Sequence, residues 1–372
     1  MAATLAVFLA IVFFLIQLQP GDYTSAYLND PHITAQNRQA IGHSFGLDKP
    51  AWEQFFLYAR NVLRGDLGIS FSQYPESVGS IIKDRLPRTL LLFGTATVLA
   101  FYLGITLGKV IAWRRGKAVE HVSTVSAVYL YTAFTPWFAL LMVWLFAFKL
   151  DWFPVGRFIS PEKWTTASVS SNGVFLRLLL TAAAQAAFVF LATVLLRRLG
   201  VRRLGLTIAT LLAATTTLAA IAWWASGIGH LAADIMWHAG LPIITLTLLS
   251  FGGVMLLTRG AMLDTVREDY VLAARARGLP DRIVRDRYAA RNALLPVVTA
   301  FIFSLALAVD GGVIIETVFS WPGMGYTLVN AASNQDLPLA AGAFVFTAIF
   351  VLVAHLIVDI LYRILDPRLR SP

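Results

Sequence analysis

The sequence predicts an all-α fold, a polytopic transmembrane helical bundle of about eight spans, and three observations carry that prediction. Hydrophobic residues make up 58% and charged residues 14% of the 372 residues, against roughly 25% charged in an ordinary soluble domain. Mean hydropathy is +0.69, so there is too little polar surface for a water-soluble globule of this size. Eight stretches almost free of Asp, Glu, Lys and Arg are each close to the roughly 20 helical residues that cross ~30 Å of hydrocarbon. The basic residues, finally, are gathered into alternate connections. The absence of cysteine excludes a disulfide framework, a thiol nucleophile and any cysteine-ligated zinc or iron–sulfur site.

In chain order the eight stretches run from Ala2 to Gln19, Leu90 to Gly108, Val122 to Phe148, Leu178 to Leu196, Leu204 to Ala225, Ile235 to Thr258, Leu295 to Ile315 and Leu337 to Val358. The first has no Lys or Arg ahead of its apolar run and no small-x-small cleavage site, so it reads as a retained anchor. The seventh contains Asp310. With the N-terminus inside, Arg114, Arg115 and Lys117 fall in one inner loop and Arg197, Arg198, Arg202 and Arg203 in the next. Eight arginines from Arg259 to Arg291 fall in the third, and Arg363, Arg368 and Arg370 in the tail; together these are 18 of the 30 basic residues. The outer connections after the fifth and seventh stretches carry none. The net charge of +9 is therefore a topology signal that puts both termini on the cytoplasmic side of the membrane. Nucleic-acid binding is disfavoured, because no arginine cluster is interleaved with exposed aromatics.

This divides the chain into a first transmembrane helix (1–19), an external segment (20–87), a transmembrane domain (88–363) and a cytoplasmic tail (364–372). In the external segment Trp52, Phe55, Phe56, Ala59 and Leu63 line one face of a helix started by Pro50 and stopped by Gly65, Asp66, Leu67 and Gly68. Such a helix rests against the bundle or offers a platform to an outside partner. Lys149 to Gly173 reads as an ordinary loop. Pro136 and Pro242 kink or start their helices.

The inner loop 260–294 is the most informative stretch. It contains Glu268-Asp269-Tyr270-Val271-Leu272-Ala273-Ala274-Arg275-Ala276-Arg277-Gly278-Leu279-Pro280-Asp281. Helix-favouring residues run up to Gly278, which supplies the left-handed backbone that ends a helix, and Pro280 blocks continuation. Asp281 can cap a second helix reaching Ala293. Two short helices thus meet at a projecting corner, with Ala273 and Ala274 allowing close approach and Glu268, Asp269, Arg275 and Arg277 supplying rim charges. From the residues alone, a partner protein and a surface of anionic headgroups are equal candidates for what this corner meets.

Other features are weaker. No phosphate-binding loop occurs, since the nearest imitation, Gly104 to Lys109, lies inside an apolar stretch; no cofactor is expected in this chain. Asp310 is an intramembrane acid and hence a candidate pathway residue together with Glu316. A proton-coupled secondary transporter using Asp310 is the alternative function, although the inverted repeat usual in such carriers is missing. His230, Asp234 and His238 recur every fourth residue, a spacing compatible with a divalent metal but also with chance, and no metal site is assigned. No His-Glu-x-x-His, Gly-x-Ser-x-Gly or paired-acid motif supports an enzyme.

In its Ala273, Ala274 and Gly278 pattern, the inner loop resembles the EAA signature of the inner-membrane permease subunits of binding-protein-dependent ABC importers. Arg291-Asn292-Ala293-Leu294-Leu295-Pro296 resembles the dipeptide, oligopeptide and nickel branch. Pro20-Gly21-Asp22, Gly65-Asp66-Leu67-Gly68, Glu316-Thr317-Val318-Phe319 with Pro322-Gly323 and Gly325, and Asp366-Pro367-Arg368 follow in family order. The sequence departs from the pattern at Leu272, where the signature has Glu, and in an inserted hairpin at about 174–226, leaving six family-like spans. The resemblance implies a type I importer permease-like bundle carrying di- or oligopeptides, partnered by a second permease, two ATPase subunits that bind ATP and Mg, and an extracytoplasmic binding protein. It implies ATPase coupling through Glu268, Asp269, Tyr270, Ala273, Ala274, Arg275, Arg277, Gly278 and Leu279, with no catalysis in this chain.

Overall fold

A computed structural model describes residues 2–17, 50–114, 116–199, 204–308 and 312–365. Among them every regular element is helical, apart from one isolated bridge between Ile69 and Ser77. The chain divides into two compact units, one formed by Met1–Ala139 with Ile243–Pro372 and the other by Leu140–Pro242.

The first unit begins with α1 (Ala2–Gln17) and α2 (Ala51–Leu63). The apolar face expected on α2 is only half right. Phe55 packs inward beside Tyr58 and Val62, onto Leu9 and Val12 of α1, whereas Trp52, Phe56 and Leu63 are exposed. The helix therefore carries two adjacent apolar stripes, one for the bundle and one facing away from it. The Tyr58 hydroxyl is buried without a hydrogen-bond partner among the described residues, and burial pushes its pKa up to about 12. Gly65 and Gly68, at φ +82° and +85°, end α2 as expected and turn the chain.

Helix α3 (Val78–Trp113) is capped by the Ser77 side chain, which accepts from the Ser80 N–H at 3.2 Å. It starts 12 residues before the apolar stretch that announced it, because Val78, Ile81 and Ile82 bury against Met324, Ala331, Leu339 and Ala343. Then come α4 (Ala118–Thr132) and α5 (Thr135–Met142), which continues as a π-helical stretch to Lys149. The expected third span is thus broken: the chain turns by 104° between Thr132 and Thr135, where Pro136 restarts the helix.

In the second unit α6 (Ser171–Arg198) and α7 (Leu204–Ala225) pack along one another as the expected hairpin, and their apolar windows bury none of their residues. Gln185 donates to the Thr215 and Thr216 hydroxyls across the pair. The stretch read as an ordinary loop is more ordered than expected. Ser160 and the single turn Pro161–Trp164 enclose Asp234, which accepts from the Ser160 N–H (2.9 Å) and hydroxyl (2.8 Å), Lys163 Nζ (3.0 Å) and Trp164 Nε1 (3.0 Å). Asp234 is spent on these donors, and the His238 ring meets its backbone carbonyl at 2.8 Å. Among the described residues no cluster can hold a metal.

Helix α8 (Gly229–Thr265) carries Pro242 in its interior. It is followed by α9 (Asp269–Ala276), α10 (Asp281–Ala293), α11 (Leu295–Leu307), α12 (Val313–Val318), α13 (Met324–Ser333) and α14 (Leu337–Leu365). Among the described residues, four helices can cross a membrane by length and composition, or up to six if each bent pair is one span, with shorter apolar helices at Thr4–Phe14 and Leu337–Val353. Among the described residues, helices lie in each of the eight expected stretches, the third and the seventh being broken.

Close packing of α3, α4 and α8 rests on glycine. A Cβ at Gly104 would come within 2.6 Å of Val254 Cβ, and one at Gly108 within 2.6 Å of Thr258 Cβ and 2.8 Å of the Met255 carbonyl. Gly104 to Lys109, the imitation phosphate loop, is therefore a helix-packing face of the small-xxx-small kind. Glu120 at the start of α4 is buried and accepts from Arg259 of α8 and from the Gly116 N–H, at 2.6 Å.

Candidate functional site

The hairpin α9–α10 closes over the ends of α3 and α8. Its corner forms as the residues dictate: Gly278 sits at φ +72° and donates its N–H to the Arg275 carbonyl at 2.9 Å, and Pro280 turns the chain into α10. Asp281 is one position later than expected. Pro280 is the cap residue, its carbonyl accepting from the Ile283 and Val284 N–H groups, and Asp281 makes no capping bond but adds charge to the first turn. Residues Val284–Ala289 open into a π-helical turn.

A miniature core fastens the hairpin down. Val271 and Ala274 of α9 and Val284, Ala289, Ala290 and Ala293 of α10 bury against Ala112 of α3 and Met262 of α8. Ala274 is 2% exposed, which corrects the expectation that both alanines of the pair present a surface. A residue three positions after Val271 shares its inward face, so only Ala273 looks outward. Two polar ties reinforce the core: the Arg275 guanidinium lies 4.7 Å from the centre of the Trp113 ring, and Lys109 Nζ lies 3.5 Å from Asp286. Arg285 also bonds Asp286, and this bond, more than Lys109, holds the carboxyl below the usual aspartate range. Asn292 donates to the Tyr270 hydroxyl at 3.1 Å, linking the two helices.

Around this core an outward rim remains. Glu268, Asp269, Tyr270, Leu272, Ala273, Arg277 and Gly278 are exposed, and Leu279 is half-buried. Leu272 is 50% exposed, so the rim has an apolar centre flanked by Glu268 and Asp269 on one side and Arg277 on the other. Such a surface suits a protein groove with a greasy floor and a charged lip. Among the described residues no group here can hold a metal ion. Sequence reading missed Trp113, Lys109 and Asp286, which hold the hairpin, because no local pattern signals a partner far away in the chain.

The two pathway candidates separate. Asp310 lies outside the described residues. Glu316 is 0% exposed, and its carboxylate accepts from the Thr89 hydroxyl at 2.7 Å and the Tyr326 N–H at 2.9 Å. Thr89 in turn accepts from the Met324 N–H at 2.8 Å. Glu316 therefore knots α3, α12 and α13 together, and its oxygens are occupied by its own chain instead of facing an opening.

The family described as the binding-protein-dependent transport system inner membrane component matches residues 102–371. The chain is also similar to the di/tripeptide transport system permease protein of Pseudomonas aeruginosa, 32% identical over 97% of this chain and 93% of that protein. It is similar to the dipeptide transport system permease protein of Escherichia coli K12, at 28% over 97% and 93%. A third relative is the oligopeptide transport system permease protein of Bacillus subtilis, at 28% over 96% and 92%.

Proposed function

The chain belongs to the binding-protein-dependent transport system inner membrane components, and on that premise we propose that this multi-pass permease subunit carries di- or oligopeptides. The peptide assignment is supported by the three relatives named for peptide transport, each spanning nearly its whole length. Family membership makes the chain a transport component instead of an enzyme, and the proton-coupled carrier built on Asp310 gives way to it. Energy comes from ATP bound with Mg by separate ATPase subunits. Cargo arrives from an extracytoplasmic binding protein, and a second, homologous permease completes the pathway. The basic loops support cytoplasmic N- and C-termini.

The observation that carries the coupling role is the α9–α10 hairpin: an outward rim of Tyr270, Leu272, Ala273 and Arg277 on a core that includes residues of α3 and α8. A groove on an ATPase subunit that takes this rim moves the hairpin as a body, and the shared core passes that movement to both long helices. The bundle then switches between inward and outward openings according to which one the partner binds better.

Co-purification of the detergent-solubilised chain with its ATPase subunits tests this. Gly278→Val forces a β-branched residue into left-handed backbone, and Ala273→Glu puts charge on the rim without touching the turn. Both are expected to lose the ATPase while the chain stays folded. Equal capture by wild type and both variants would refute the coupling assignment.

A further inference from the structure

Within the first unit, α3, α4, α5, α8 and α11 line an open-sided cavity of about 470 Å³. Five hydroxyl side chains line it, Thr97, Tyr131, Thr135, Ser250 and Ser304, and the rest of the lining is apolar with no charged group. Elsewhere in these helices Thr106, Thr132, Thr247 and Thr258 spend their hydroxyls on the carbonyl four residues earlier. The five cavity hydroxyls have no hydrogen-bond partner among the described residues. Hydroxyls at membrane depth without protein partners need water or a polar guest.

The break between α4 and α5 supports the same conclusion. Tyr131 and Thr135 flank the 104° turn at Ala133 and Phe134, and both reach the cavity. Non-helical backbone inside a membrane persists only where it is buried in protein or lines a watered space. Gly253 keeps room for the guest: a Cβ there would meet the Tyr131 ring at 2.8 Å, so the ring lies flat on a helix surface instead of filling the void.

Resting on the peptide-permease reading, we infer that this cavity is a cargo-contact site that recognises the backbone of a peptide through the hydroxyls of Thr97, Tyr131, Thr135, Ser250 and Ser304 and ignores side-chain charge. Hydroxyls donate and accept alike, so they match the alternating N–H and C=O groups of any peptide. With no fixed charge in the lining, basic and acidic side chains meet neither attraction nor repulsion. A site of this kind passes many sequences and leaves selection to the binding protein.

The test uses the complete transporter, with its ATPase subunits, second permease and binding protein, in proteoliposomes. Probes are trialanine and tripeptides with a central lysine or glutamate. Tyr131→Phe and the double substitution Ser250→Ala with Ser304→Ala remove only hydroxyls, and retained ATPase capture certifies assembly. We expect each to lower the apparent affinity of uptake by roughly five- to tenfold, the size of one or two hydrogen bonds, equally for all three peptides. Unchanged uptake, or loss confined to one charge type, overturns the inference while leaving the permease reading intact. Wild-type vesicles that take up none of the three overturn the peptide reading and this inference with it.

Discussion

The Arg275 guanidinium lies over the Trp113 ring at 4.7 Å, so the α9–α10 corner is fastened to α3 by one of its own arginines. Under the proposed coupling role, this contact lies between the rim and α3. Trp113→Leu and Arg275→Gln are expected to leave the ATPase attached and to raise the ATP consumed per peptide taken up, measured in proteoliposomes. Release of the ATPase by Arg275→Gln alone would make Arg275 a partner contact instead.

Asp286 ties α10 to Lys109, and its folded pKa is depressed, chiefly by its bond with Arg285. A depressed carboxylate contributes above its unfolded pKa and loses that contribution only as pH falls through the lower, folded value. The tie should persist from neutral pH down to about 4, where a free aspartate would begin to protonate. Because the chain contains no cysteine, spin labels on cysteines introduced at Arg114 and Ala276 report the distance from α3 to the hairpin. That distance is expected to be constant over this range and to broaden in Asp286→Asn at every pH. A wild-type distribution that broadens by pH 5 would contradict the assignment.

Gly108→Ala tests the packing of α3 on α8. The new Cβ would sit 2.8 Å from the Met255 carbonyl as well as against Thr258, and backbone cannot step aside as a side chain can. A cost of about 1–3 kcal/mol is expected, read as a lowered melting temperature in detergent. Gly94→Ala, in the same helix with nothing within 4 Å of its added Cβ, should be neutral or stabilising by up to about 1 kcal/mol. Equal melting temperatures for the two variants would remove close approach as the reason for Gly108.

In the second unit Asp234 is nearly inaccessible while its partner Lys163 has a side chain 56% exposed. Removing the lysine loses an ion pair worth ~0–1 kcal/mol. Removing the carboxylate in Asp234→Ala leaves the Ser160 and Trp164 donors unmatched and should cost about 1–3 kcal/mol. Thermal unfolding of Lys163→Ala beside Asp234→Ala decides the point, and a lysine variant as damaged as the aspartate variant would show that charge outweighs hydrogen bonding there.

How much of this was legible differs from element to element. The corner at Gly278 and Pro280 could be read directly, because left-handed backbone and a missing N–H are properties of single residues. The extra hairpin was equally plain, since about twenty apolar residues need only be counted. The faces of short helices were not. Trp52 and Phe56 read as sharing one face with Phe55, for the bundle or for an outside partner, yet only Phe55 packs inward, because α2 is apolar on two sides and the positions of α1 and α14 select between them. Ala274 read as a surface group for the converse reason: a small residue is compatible with contact on either side, and here Val271 and Ala112 claim it.

The sequence by itself determined the membrane character, the helical class, the approximate places of the eight apolar stretches and the family, because hydropathy, charge distribution and glycine–proline punctuation act locally and survive without tertiary context. Tertiary structure alone decided which acid is a knot and which residues are a rim: Glu316 accepts from Thr89, 227 positions away, and the five cavity hydroxyls come from five helices. Pairings over such separations leave no periodicity in the chain, since they depend on which faces meet once the helices have packed.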